Sequence, residues 1–560
     1  MNLFFDCSQA LKCPLYTTTR GAMGEWMMRG VELRPSTCFQ RIWSVASVSL
    51  HLIGMVFSMP LWVVGEALEI CTKKGRALFN DEVDLADQDL ETITLHPEMT
   101  ECMGTAVSTF QATSNPNFCK GSALHDSLKD PTLGLGGGVD ILTPEGAKQT
   151  ADRLEQMGSN AFRFSVEWAD VKKNGLNRYT TSARYFHDRG FKVMITLDHW
   201  MGDGSVDIFE KPGDHEAFVS YATDVYLALR PYASKFLTFN EPNVDANQKY
   251  VMGDLPPKKV GRFWSSMQLS VLKLKAHRAV YDRFQKLEES YRGPKNSDPL
   301  QVGLSHQAIW MVAASRWNII ARVVAFVITH TFHESFMRIA GQPEMKRTLD
   351  FLGVQFYAQP KAGRNGWQIV DSIATPTKQN PNAWMVKGMK YRFNPEGILP
   401  VLQSIHDRLH IPIMVTETGS AGEINPQVQS RALRKPDSHL NHYYDASSNI
   451  VMPPAAITLD RKSVDYSREM EMRKATYYRY SLLAIRKAQD LGIRVTGVFL
   501  WTLFDNLEWQ HGYTPGCAFG ILARSRTSGI VRITEGFETI RRIFTQTRIS
   551  QERLVKETVA

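Results

Sequence analysis

From Met99 onward, short runs of β-branched and aromatic residues recur, each separated from the next by a helix-length amphipathic segment. This alternation constrains the fold more than any other feature. Strands joined through helices pair in parallel, because each crossover returns the chain to the same end of the sheet. Eight strands are predicted: Glu101–Phe110, Ala161–Ser165, Lys192–Leu197, Phe236–Phe239, Gln301–Ser305, Phe351–Phe356, Ile413–Thr416 and Thr496–Trp501. One unit is legible in detail: Thr143 caps a helix with Pro144 at its first position, Leu154 and Met157 lie on its later apolar face, and Gly158 closes it before the Ala161 strand. Eight such units over roughly 450 residues suit an α/β fold of the (β/α)8 TIM-barrel type, enlarged by loop insertions. A doubly wound sheet would need a phosphate-binding turn. Gly134-Leu135-Gly136-Gly137-Gly138 follows no predicted strand and no lysine directly follows it, so it reads as a plain loop.

The first part of the chain has a different character. Val45 to Gly65 runs without a charge before the acidic stretch Asp81-Glu82-Val83-Asp84. Such a run is long enough to span a ~30 Å hydrocarbon layer at ~1.5 Å per residue, although His51, Pro60 and several serines also suit a buried or interface-lying hairpin. Arg29, Arg34 and Arg41 flank one side and Lys73, Lys74 and Arg76 the other, so the charges set no orientation. More than forty residues precede the run, which fits a cleaved leader poorly. The expected organisation is a hydrophobic N-terminal extension over 1–98 with a possible membrane segment at 45–65, a barrel over 99–550, and a tail over 551–560. With 43% hydrophobic and 22% charged residues, disorder and a multi-span membrane protein are excluded. The 65 basic and 57 acidic residues leave a net charge of +8, with no run of like charges of the kind that binds nucleic acid. Seven cysteines without a C-x-x-C pair indicate neither a zinc site nor a disulfide framework, and suit a reducing compartment. Membrane-associated and cytoplasmic locations both stay open, and nothing specifies an oligomeric state.

In a barrel of this kind the chemistry lies at the carboxyl ends of the strands. Phe236-Leu237-Thr238-Phe239 runs into Asn240-Glu241-Pro242-Asn243, and Ile413-Met414-Val415-Thr416 runs into Glu417-Thr418-Gly419, so two glutamates face one mouth. Paired carboxyls are what glycosidic cleavage needs, one protonated to release the leaving oxygen and one ionised to attack the anomeric carbon. A single glutamate after a strand is more simply a helix cap; that account would have to hold at two aromatic-rich strand ends.

These runs resemble the signatures of glycoside hydrolase family 1, the retaining β-glucosidases, over the chain from about Cys102 to its C-terminal segment. Thr-Phe-Asn-Glu-Pro ending at Pro242 resembles the acid/base signature, Val415-Thr416-Glu417-Thr418-Gly419 the nucleophile signature, and Trp501-Thr502-Leu503-Phe504-Asp505-Asn506-Leu507-Glu508-Trp509 the sugar-binding segment after the eighth strand. The resemblance implies Glu241 as acid/base and Glu417 as nucleophile. It also implies Arg163 as the cation that holds Glu417 ionised, Asn240 at the hydroxyl beside the anomeric carbon, and Tyr357 as a hydrogen-bond donor to the nucleophile. Gln111, His199, Trp200, Trp501, Glu508 and Trp509 become the glycone-binding set. Glu508 favours a neutral glycone, since a carboxylate there repels a phosphorylated one. Neither metal nor organic cofactor is implied.

Several positions depart from the family pattern. Gln355-Phe356-Tyr357 stands where the family has Asn-Tyr-Tyr, Thr418 replaces an asparagine, Asp198 precedes His199, and Gly202–Phe209 lacks the usual Gly-Gly-Trp approach. Lost supporting hydrogen bonds of this kind cost ~10–100-fold, which predicts slower or differently selective chemistry. Three readings follow. The first is a retaining β-glycosidase acting on β-glucosides or β-galactosides, with carboxyls ~5–5.5 Å apart. The second is a membrane-anchored transglycosylase similar to the family's glycolipid-galactosyltransferase branch, suggested by Val45–Gly65 and the tract Phe332–Gln359. The third is a weakly active sugar-binding module. The aglycone loops, around Lys361–Asn382 and Gly422–Asp460, carry no interpretable motif, and the basic C-terminal stretch of Arg541, Arg542, Arg548 and Arg553 reads as a solvated helix face.

Overall fold

A computed structural model describes residues 93–559 apart from 129–132, 207, 212, 314–317, 363–384, 387–390, 393–394, 422–467, 510–511, 514–517 and 525–530. The apolar run at 45–65 and nearly all of the two aglycone loops lie outside the described residues.

Eight parallel strands close a barrel in which each strand pairs with its sequence neighbours and the last returns to the first. They are β1 Cys102–Val107, β2 Ala161–Ser165, β3 Lys192–Thr196, β4 Ala233–Asn240, β5 Gln301–Gln307, β6 Phe351–Gln355, β7 Ile413–Glu417 and β8 Val495–Trp501. Closure runs through the β1–β8 pairing, Cys102 beside Gly497 to Ala106 beside Trp501. All eight predicted strands are present, so the TIM barrel expected from the alternation is the fold. The ends differ by a few residues. β1 stops at Val107 because Thr109 turns toward β2, its N–H donating to Ser165 Oγ at 2.9 Å. β5 runs two residues further than the hydrophobic pattern suggests, to Gln307.

The principal helices between strands are α1 Pro144–Gln156, α2 Asn177–Asp188, α3 Asp214–Leu229, α4 Pro242–Asn247, α5 Phe263–Ser290, α6 Ser335–Ala340, α7 Ile398–Leu409, α8 Arg468–Asp490 and α9 Glu535–Val559. The first starts as its sequence predicts: the Thr143 side chain accepts from Gly146 N at 3.2 Å, and Gly158 leaves the helix at φ 77°. Two buried layers result. Phe162, Phe164, Phe236, Ile195, Tyr226 and Phe284 belong to the core between strands and helices. Cys102, Ala161, Met194, Leu237, Phe351, Met414 and Phe499 fill the barrel interior. Strands buried on both faces read as continuous apolar runs, and every residue of β4 is buried. Its Lys235 survives inside by pairing with Glu101 at 2.6 Å.

The chain enters the core early and leaves it late. Ile93 and Leu95 are buried, Leu95 N donates to Thr547 Oγ1 at 3.0 Å, and α9 continues to Val559. Among the described residues, no helix is long and apolar enough to cross a membrane.

Candidate active site

Arg163, the third residue of β2, is 1% exposed and spends every guanidinium nitrogen on the strand ends around it. Nη1 donates to Glu417 Oε1 at 2.7 Å and to Thr416 O at 2.9 Å, Nη2 to Asn240 Oδ1 at 2.5 Å, and Nε to Thr196 Oγ1 at 2.9 Å. One planar fork thereby ties β2, β3, β4 and β7 together. The second oxygen of Glu417 accepts from Tyr357 Oη at 2.6 Å. The next turn is tight: a Cβ on Gly419 would lie 2.1 Å from Trp501 O, so only glycine lets β7 pass β8 there.

Asn240 links the Arg163–Glu417 pair to His199. Its Oδ1 accepts from Arg163 and also from Gln355 Nε2 at 2.6 Å, which assigns the amide orientation and leaves Nδ2 as the donor toward His199 Nε2 at 3.3 Å. Burial, then the Arg163 charge, hold His199 well below the ordinary imidazole range, so the ring is neutral. Since Nε2 accepts, the proton sits on Nδ1, a buried atom without a partner. Gln111 has the complementary polarity: Nε2 donates to Leu507 O at 2.8 Å, and Oε1 is buried with no partner. The pocket wall thus offers a donor at His199 and an acceptor at Gln111, as a polyol requires.

Glu241 ends β4 and precedes α4 with φ 44° and ψ 58°, a left-handed conformation that costs a non-glycine residue of order 1–3 kcal/mol. Its N–H donates to Ser305 O at 2.9 Å and its carbonyl accepts from Asp245 N at 2.9 Å, fixing the turn from both sides. Among the described residues, no guanidinium grips its carboxyl. Burial, and after it the charge of Glu417, push Glu241 well above the usual carboxylate range. Burial also raises Glu417, but Arg163, Tyr357 and Gln355 oppose it and the rise is smaller. The two carboxyls therefore ionise in a set order, Glu417 first.

Both glutamates line one pocket of ≈740 Å³, continuous with solvent, together with Gln111, His199, Trp200, Asn240, Tyr357, Trp501, Glu508 and Trp509. Every candidate except Arg163 forms its surface, and Arg163 lies directly beneath. The rings build one wall: Trp200 stacks on Trp509 at 4.7 Å and His199 on Trp501 at 5.8 Å. Trp200 and Trp509 also have positive φ, 75° and 23°. Burial, followed by the Glu417 charge, pushes Glu508 up to about 8. This corrects the electrostatic argument for a neutral glycone, because burial favours the acid form of Glu508 at neutral pH.

Other lining residues were not foreseen: Val244, Gln248, Asp254, Leu255, Gln307 and Phe519. Gln307 was within reach of sequence reasoning, as the true end of β5; Val244 and Gln248 lie on and directly after α4, and Asp254, Leu255 and Phe519 belong to connections without periodicity. The departures from the family pattern also find partners. Gln355 Nε2 donates to Asn240 while its Oε1 is buried without a partner, and the Thr418 hydroxyl lies 3.1 Å from Tyr477 Oη. Asp198 belongs to a buried cluster. Lys273 Nζ reaches Asp198 Oδ2 at 2.8 Å and Asp245 Oδ2 at 2.6 Å, and Lys249 Nζ reaches Asp245 Oδ2 and Trp200 O, both at 3.1 Å. Two cations and two anions balance there, between β3, α4 and α5.

Glycosyl hydrolase family 1 matches residues 147–446, more than half of the 560-residue chain and a span that includes both glutamates. The chain belongs to glycosyl hydrolase family 1. Among relatives of this family 1 member, Beta-glucosidase 20 of Arabidopsis thaliana is 21% identical over 483 residues, covering 73% of this chain and 82% of its own. Galactolipid galactosyltransferase SFR2, chloroplastic, of the same plant is 23% identical over 402 residues, covering 67% of this chain and 53% of its own length. The solved β-glycosidase of Thermosphaera aggregans superposes with TM-score 0.58 at 17% identity, covering 81% of this chain and 97% of that one. The AHE enzyme of Alicyclobacillus herbarius gives TM-score 0.60 at 18% identity, with coverages of 82% and 99%. These likenesses establish the family 1 barrel; the pocket chemistry is read from its own side chains.

Proposed function

We propose that the protein is a retaining β-glycosidase, with Glu417 as nucleophile and Glu241 as acid/base. The observation that carries this is the asymmetry of two carboxyls on one pocket. Glu417 is held at both oxygens by Arg163 and Tyr357, whereas among the described residues no cation pairs with Glu241, which is pushed far up. In the first step a Glu417 oxygen bonds to the anomeric carbon as the glycosidic C–O bond breaks, and Glu241 gives its proton to the departing oxygen. Loss of that proton charges Glu241 just as bonding neutralises Glu417. In the second step Glu241 takes a proton from water, the water oxygen bonds to the anomeric carbon, and Glu417 leaves as carboxylate. Asn240 Nδ2 is placed to donate to the hydroxyl beside the reacting carbon, where a hydrogen bond strengthens as positive charge develops.

A second reading replaces water by another sugar. The likeness to the galactolipid galactosyltransferase supports it, and Val244, Gln248, Asp254, Leu255 and Gln307 offer a mixed polar and apolar rim for an acceptor. The two readings share every step up to the glycosyl-enzyme.

Purified protein should release nitrophenol from aryl β-glucosides or β-galactosides. Glu417→Ala should abolish release, and azide should restore it with an α-glycosyl azide as product. Glu241→Ala should lose about 10²–10⁴-fold on substrates with poor leaving groups while still cleaving activated ones. Absence of turnover on every aryl β-glucoside and β-galactoside would sink the hydrolytic reading. A glycosylated acceptor sugar in place of free sugar would select the second.

A further inference from the structure

Where α4 gives way to α5, the chain makes an outward loop whose composition nothing in the catalytic scheme uses. Lys258-Lys259-Val260-Gly261-Arg262-Phe263-Trp264 are seven consecutive exposed residues. Val260 is 72% exposed, Phe263 53% and Trp264 67%, with Met252 at 59% across the loop. Phe263 and Trp264 are the two exposed aromatic side chains among the described residues; every other described aromatic is at least partly buried. Burying such apolar surface is favourable, so leaving it exposed to water is costly. Lys258, Lys259 and Arg262 are also exposed, and no carboxylate pairs with them among the described residues. The stretch from Met252 to Trp264 contains one acidic residue, Asp254.

The loop is held in place. Lys259 N donates to Lys249 O at 3.0 Å, Gly261 N to Val251 O at 3.0 Å and Arg262 N to Tyr250 O at 2.7 Å, pinning it to the preceding turn. That turn carries Gln248, Asp254 and Leu255, which line the catalytic pocket. A pre-formed apolar and aromatic patch, ringed by cations, therefore borders the pocket mouth. A bilayer interface matches this chemistry: tryptophan and phenylalanine settle at headgroup depth, and each lysine or arginine near an anionic surface adds electrostatic attraction. A neutral apolar partner would leave the three cations unanswered.

We propose that the Met252–Trp264 loop is a membrane-docking surface that seats Val260, Phe263 and Trp264 among the headgroups of an anionic bilayer and holds the pocket mouth at the lipid surface. It acts independently of the apolar run at 45–65 and whatever glycoside the pocket cleaves. The test uses the full chain with vesicles of phosphatidylcholine and phosphatidylglycerol whose acyl chains are brominated near the headgroup. Wild type should show a tryptophan-quenching component that Trp264→Phe lacks, and that component should vanish on pure phosphatidylcholine vesicles. The triple reversal Lys258→Glu, Lys259→Glu and Arg262→Glu should weaken it at least tenfold at an unchanged unfolding midpoint. Equal quenching in wild type and Trp264→Phe would overturn the proposal. So would a Trp264 shielded from aqueous acrylamide before vesicles are added, since the patch would then be covered by another segment of the chain or by a second copy.

Discussion

Tyr357 acts on Glu417 through a single bond of 2.6 Å, and removing it is the cleanest way to separate orientation from charge at that carboxyl. Arg163 stays bonded to the other oxygen, to Asn240 and to Thr196 in such a variant, so the strand ends keep their positions. Burial already raises Glu417, with Arg163 and then Tyr357 opposing the rise. Tyr357→Phe removes one of the opposing contacts, and the carboxyl protonates at higher pH. The expected outcome is an acid limb of the kcat/KM profile displaced upward, an alkaline limb left in place, and a loss of about 10–100-fold at the optimum. A fall in rate with both limbs unmoved would assign Tyr357 to packing alone. The same network explains why the glutamine at 355 is tolerated. Its longer side chain still reaches Asn240 Oδ1, so the bond expected to be lost is kept.

At the scale of elements, the Lys273 cluster joins α5 to the ends of β3 and β4. Burial opposes charge at Lys273 and Asp198, yet the two aspartates hold Lys273 above the ordinary amine range, and Lys273 holds Asp198 below the usual carboxylate range. Lys273→Met leaves Asp198 and Asp245 buried with Lys249 alone, a change that costs roughly 3–5 kcal/mol when a buried partner is removed. Thermal unfolding should move down accordingly, and adding Asp198→Asn should recover part of the loss. The Asp245 charge also helps raise Glu241, so uncovering it should carry the alkaline limb of the activity profile to higher pH, a readout that simple loosening would not displace. This cluster could not be read from sequence. Asp198, Asp245 and Lys273 are far apart in the chain, lie on three different elements, and follow no shared period. The strands were legible because they are buried on both faces and so appear as apolar runs of the right length. Glu241 and Glu417 were legible because each immediately follows such a run. Asp254, Leu255 and Phe519 were not, since connections carry no periodicity and only closure of the barrel brings them to the pocket. The Glu508 proton was hidden for a different reason: its cause is depth of burial, which a sequence does not display.

For the molecule as a whole, that proton links stability to pH. Glu508 is raised to about 8 and Glu167 to about 7, both chiefly by burial, while the unfolded carboxyls titrate near 4.5. Between these values the folded chain binds protons that the unfolded chain has released, so stability falls as pH rises, by up to ~1.4 kcal/mol per pH unit for each such group. Below about pH 6.5 buried histidines act in the opposite direction. His277, pushed down to about 4 by burial, stays neutral in the fold while its unfolded form takes up a proton. Above pH 6.5 that histidine contribution fades as the unfolded rings release their protons, so the carboxyl contribution dominates toward pH 8. Across that window the calorimetric unfolding midpoint of the wild type should decline. Glu508→Gln should decline less steeply and exceed the wild type at pH 8, while tracking it near pH 5, where Glu508 is protonated in the fold. Parallel curves for the two proteins from pH 6.5 to 8 would show that Glu508 is already ionised in the fold. A buried carboxyl that weakens the fold at neutral pH is consistent with a place in the pocket set by ligand rather than by stability, since hydroxyls that hydrogen-bond its ionised form would offset the penalty of burial.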